Sequence, residues 1–95
     1  MRLLLVEDNE EVALQLGEGL RETYSLDQVA TGSEARYLAQ VNDYDLLILD
    51  IGLPDMDGIE LCAQIRQYTT AVPILMLTAE DSEQIIVQVR AWIWS

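Results

Sequence analysis

Lysine and histidine are both missing from the 95 residues, and the five basic side chains, all arginines, face 17 aspartates and glutamates for a net charge of −12. A surface of that sign repels a phosphate backbone, so nucleic acid is not an expected partner. Cysteine occurs once, at Cys62, which excludes an internal disulfide and a cysteine metal site. Its spacing with Ile59 and Ile65 assigns it to the inward face of a helix. No stretch approaches the ~20 apolar residues that a bilayer crossing needs. The first apolar run, Leu3 to Val6, is short and lacks the basic flank of a secretion signal. A cytoplasmic chain without a membrane partner is expected.

What is present is a 51% hydrophobic content, which fits a globular α/β protein and excludes disorder, in a length that allows one domain with one core. Leu3 to Val6 and Leu46 to Leu49 are continuous apolar runs, as in strands covered on both faces. Ile74 to Leu77 is a third, opened by Pro73 where a missing N–H is tolerated. Tyr24 to Ala30 is partly polar and reads as an edge strand. Asn9 is placed to cap a helix with the stripe Val12/Ala13, Leu16 and Leu20. Thr31 and Glu34 set a capping box before a helix with Ala35, Leu38, Ala39 and Val41 inward. The turn-rich segment Gly52-Leu53-Pro54-Asp55-Met56-Asp57-Gly58 leads into a helix with Ile59, Leu61/Cys62, Ile65 and Tyr68 inward. Asp81 or Ser82 caps a last segment, Glu83 to Ser95. The alternation predicts a doubly wound parallel sheet of four strands and four helices, with ligands held beyond the carboxyl ends of the strands.

Those ends carry the chemistry. One strand runs into Glu7-Asp8, another into Asp50, and a third into Thr78. The bland reading of Glu7, Asp8, Glu10 and Glu11 is an acidic helix start favoured by the dipole, which covers Glu10 and Glu11 but not the two acids at the strand end. Carboxylates gathered without basic neighbours repel one another unless a divalent cation lies among them. Hard oxygen donors suit Mg²⁺, with Mn²⁺ or Ca²⁺ as substitutes. Glu7, Asp8, Asp50 and the backbone carbonyl of Gly52 are the expected ligands. Asp50 could then attack a phosphoryl group as a nucleophile, and Thr78 could either bond a phosphoryl oxygen or serve only as a strand-end cap.

The segments Leu3-Leu4-Leu5-Val6-Glu7-Asp8-Asn9, Asp45-Leu46-Leu47-Ile48-Leu49-Asp50, Leu53-Pro54-Asp55-Met56-Asp57-Gly58 and Ile74-Leu75-Met76-Leu77-Thr78-Ala79 resemble the receiver domain of bacterial response regulators, a flavodoxin-like fold. The resemblance spans roughly residues 1–84 in one domain of 1–95. It implies two-component phosphorelay signalling, with Asp50 as phosphoacceptor, Glu7 and Asp8 as the acidic metal pair, and Thr78 as the switch hydroxyl. The implied partner is a histidine kinase or phosphotransfer protein; without histidine, this chain can only be the acceptor. A receiver of this kind is a phosphoprotein and not an enzyme in its own right. A haloacid-dehalogenase-like phosphatase would want a second acid two residues after its nucleophile, where Gly52 stands.

The resemblance also implies a fifth strand, a fifth helix and a lysine contacting the phosphoryl group, and these 95 residues supply none of them. A C-terminally truncated receiver with impaired switching is therefore the expectation. The divergent tail, 85–95, has seven large apolar residues in eleven, too many for one helical stripe. It is either vestigial or a self-association patch of Trp92, Ile93 and Trp94 hiding an exposed strand edge, as in a homodimer. A dimerisation or decoy module without phosphorylation is the alternative function.

Overall fold

Burial on both faces, which the unbroken apolar runs demand, is met by strands at the centre of a layered sheet. The computed structural model describes residues 1–69, 71–79 and 87–92. Its elements are β1 (Arg2–Val6), α1 (Glu10–Arg21), β2 (Ser25–Val29), α2 (Gly32–Val41), β3 (Leu46–Asp50), α3 (Gly58–Arg66), β4 (Ile74–Ala79) and β5 (Val87–Trp92). The sheet order is β2-β1-β3-β4-β5. The first four strands are parallel, in the expected receiver-like arrangement, with β2 at the edge. None of the described helices is long and apolar enough to cross a membrane.

Side chains alternate between the faces of a strand, and the core divides accordingly. Leu4, Val6, Leu47, Leu49, Ile74 and Met76 meet Ala35 of α2 and Leu61, Cys62 and Ile65 of α3. Leu5, Ile48 and Leu77 face the other way, where Leu16 and Leu20 of α1 pack on them. Burial also pushes the Cys62 thiol up, as befits a core side chain and not a reactive one.

Helix starts follow the expected chemistry. The Asn9 side chain accepts from the N–H groups of Glu11 and Val12. The Thr31 hydroxyl oxygen accepts from Glu34 N–H, while Glu34 takes the Thr31 hydroxyl proton in return instead of the backbone N–H of a full capping box. At α3 the cap is Asp57, whose carboxylate accepts from Ile59 N–H at 2.8 Å. Ile59 itself points outward, 53% exposed, against expectation, and Tyr68 and Val41 are also exposed. The buried stripe of α3 is Gly58, Leu61, Cys62 and Ile65, so glycine holds the inward position that Ile59 was assigned.

Gly58 is there for space. A Cβ on it would lie 2.4 Å from the Asp50 carbonyl oxygen and 2.8 Å from the Ile51 Cα, both backbone atoms that cannot turn aside. At Gly32 the obstruction is the flexible side chain of Met56. Gly58→Ala is expected to cost about 2–3 kcal/mol by the overpacking penalty, and Gly32→Ala much less. Chemical denaturation of both variants checks this ranking; equal midpoints would contradict it.

The tail departs from expectation. The helix anticipated across Glu83 to Ser95 is not what Val87–Trp92 forms: this segment is an antiparallel strand on the outer edge of β4, with Ile74 opposite Trp92 and Ala79 opposite Val87. The physical reason is a period of two, with Val87, Val89 and Ala91 alternating with Gln88 and Arg90, and β-branched residues that favour strands. The β4 edge, whose exposure motivated the dimer, is thus paired within the chain. Ile93 and Trp94 of the suggested patch lie outside the described residues, as does the Trp92 side chain.

Candidate functional site

Register explains why the acids meet. Val6 of β1 pairs with Leu49 of β3, so the next residues, Glu7 and Asp50, lie side by side at the carboxyl edge of the sheet. Asp50 in turn pairs with Leu77 of β4, which puts the backbone of Thr78 one position further along that neighbouring strand. The Thr78 side chain lies outside the described residues.

One carboxylate oxygen from each of Glu7, Asp8 and Asp50 lies within 4.8 Å of the others. The structure thus brings these three sequence-predicted residues together. Asp8 is exposed, Asp50 is half-buried, and Glu7 is buried at 8% exposure. Burial, then the charge of Asp50, pushes the Glu7 carboxyl up to about 7, against the pull of the Asn9 N–H that it accepts at 3.2 Å. Asp50 is raised as well, chiefly by burial and then by Asp8, and opposed by the Gly52 N–H that its Oδ1 accepts at 3.4 Å. The pair holds its negative charge reluctantly. Hard oxygen donors at this spacing, with no basic side chain paired to them among the described residues, fit a divalent cation of the Mg²⁺ type.

The loop after Asp50 is closed on itself. Gly52 and Asp57 form an antiparallel bridge, and Gly58 N–H donates to the Ile51 carbonyl at 2.7 Å. Leu53 is buried in the core. Asp55 reaches away to accept from Gly32 N–H at 2.7 Å and Ser33 N–H at 3.0 Å, at the start of α2. Sequence reasoning gave Asp55 no partner of its own, since nothing local reveals a contact 23 residues back.

At the opposite end of the sheet Arg2 pairs with Asp27 at 3.0 Å and lies over the Tyr44 ring. Tyr44 donates its hydroxyl to the same carboxylate at 2.7 Å. This cluster ties β1, β2 and the approach to β3 together, and it too went unread in the sequence.

Fold and site together define a doubly wound parallel sheet with an acid cluster at the carboxyl ends of its central strands. The response regulator receiver domain family matches residues 3–91. The alkaline phosphatase synthesis transcriptional regulatory protein PhoP of Bacillus subtilis is 42% identical over 83 residues, 86% of this chain and 35% of that protein. Among solved structures, a complex of the histidine kinase ThkA with the response regulator TrrA is similar at 34% identity and a TM-score of 0.77, over 87% of this chain and 72% of the matched one. A Burkholderia pseudomallei response regulator with a phosphorylated aspartic acid, calcium ion and citrate is similar at 30% identity and a TM-score of 0.76, over 85% and 48%. The chain belongs to the response regulator receiver domain family. It spans about a third of the length of the curated relatives it matches.

Proposed function

We propose that Asp50 is a Mg²⁺-dependent phosphoacceptor in a phosphorelay, loaded by a histidine kinase or phosphotransfer protein. The observation that carries this reading is the convergence of Glu7, Asp8 and Asp50 within 4.8 Å at the carboxyl ends of adjacent strands. The relative with a phosphorylated aspartic acid and a calcium ion supports both halves of it, and the kinase complex supports the partner. An Asp50 carboxylate oxygen attacks phosphorus while the bond to the donor's imidazole nitrogen breaks, leaving an acyl phosphate on this chain and the electron pair on the donor. Glu7 and Asp8, with the Gly52 carbonyl, would hold the cation. When bound, it supplies the positive charge that offsets repulsion between carboxylate and phosphoryl group.

Thr78 follows the residue paired with Asp50, which supports its role as the hydroxyl that meets the phosphoryl oxygens.

Incubation with acetyl phosphate and Mg²⁺, followed by intact mass, should show a single phosphoryl adduct that Asp50→Asn and EDTA each abolish. No adduct at saturating donor would overturn the reading and leave a dimerisation or decoy module. For that module, sedimentation should find a dimer that Trp92→Ala plus Trp94→Ala disperses.

A further inference from the structure

We propose that Asp55 is a positioning residue that fixes the metal-binding geometry of the loop after Asp50 by fastening its tip to the N-terminus of α2. This rests on the reading of Glu7, Asp8, Asp50 and Gly52 as a cation site.

Gly52 and Asp55 belong to one short loop whose base and tip are secured differently. The base is closed by the Gly52–Asp57 bridge and by the Gly58 N–H on the Ile51 carbonyl. Leu53, buried in the core, and the Ile51 N–H on the Leu77 carbonyl at 3.2 Å also hold the base to the sheet. The tip has a fastening of its own. Both Asp55 oxygens are engaged, Oδ1 by Gly32 N–H and Oδ2 by Ser33 N–H, in a two-pronged grip on a separate helix. A carboxylate is the right group for the place, since free N–H donors and the positive end of the dipole both favour an anion there. These two N–H groups hold the Asp55 carboxyl below the usual carboxylate range, so the grip persists at every pH where the protein would bind a cation. Met56 adds an apolar contact beside it, packed so closely on Gly32 that a Cβ there would meet its Cγ at 2.5 Å.

The consequence falls on Gly52. Its N–H is bonded to Asp50 and its backbone is bridged to Asp57, so a shift of the loop tip is passed to its carbonyl and to the Asp50 carboxylate together. Groups that orient ligands without touching the metal commonly control affinity by about tenfold or more.

The test is Mg²⁺ titration calorimetry on the wild type, Asp55→Ala and Asp55→Asn, each first checked for native circular dichroism. The expected result is a Kd for Mg²⁺ raised about tenfold in Asp55→Ala and less in Asp55→Asn, which keeps one acceptor oxygen. If Asp55→Ala fails to fold, Asp55→Asn carries the test. Wild-type binding with an unchanged Kd in the folded variants would overturn the positioning role and leave the cation site standing. No Mg²⁺ binding by the wild type would overturn the cation site itself.

Discussion

Raising the pH from 5.5 to 8.5 in EDTA should lower the stability of this protein by about 2 kcal/mol, and millimolar Mg²⁺ should reverse most of the loss at the upper end. The sign follows from Glu7. Its carboxyl titrates near 7 in the folded chain and near 4.5 when exposed in the unfolded one. Between these values the folded state binds the extra proton. The stabilisation is fully present below 4.5 and is lost as pH rises through 7. Asp50, also raised, adds in the same direction. The other shifted groups lie outside the window. Asp27 and Asp55 are lowered from 3.8 and matter in acid, while Cys62 is raised from 9.0 and Tyr44 is pushed up to about 12. For a domain of this size the change amounts to about 10 °C in Tm. A cation binds the ionised acids, so its stabilisation should grow with pH. Glu7→Gln should flatten the pH profile. A wild-type Tm in EDTA that is level or rising over this range would contradict the buried, proton-retaining Glu7.

Much of this site was legible because its determinants are local. The acids terminate apolar runs, and runs buried on both faces imply parallel strands whose carboxyl ends share one edge. Asn9, Thr31 and Cys62 were equally readable, since a cap or an inward helical position depends on neighbours within one turn. Contacts between distant segments were not. Asp55 and Asp57 look alike as turn residues, yet one caps its own helix and the other grips α2. Arg2, Asp27 and Tyr44 carry no shared local signal either. Ile59 misled because an apolar residue at helical spacing was preferred over a glycine, although the glycine is the one pressed against the backbone of Asp50 and Ile51. In the tail, apolar abundance concealed the alternation of Val87, Val89 and Ala91 that makes β5 a strand.

Asp50→Asn should abolish the phosphoryl adduct and, in the absence of a cation at pH 8, make the protein more stable. The two effects have one origin. Asp50 is half-buried beside two other carboxylates, and unit charges at such a separation repel by about 3 kcal/mol at an effective dielectric constant near 20. Exposure of Asp8 to water reduces its share of that repulsion, so a gain of about 1–2 kcal/mol is the reasonable expectation. Asparagine keeps an oxygen that can accept the Gly52 N–H, so the loop should not be disturbed by the change. What it removes is the nucleophile and one charge of the cation site. Stabilisation by Mg²⁺ should therefore fall together with the adduct, and the variant with cation should be no more stable than the variant without it. Thermal melts of both proteins, with EDTA and with Mg²⁺, form a four-way comparison. If Asp50→Asn melts lower than the wild type in EDTA at pH 8, the acids are not held together under repulsion. A site that needs no cation to relieve it would then have to account for their convergence.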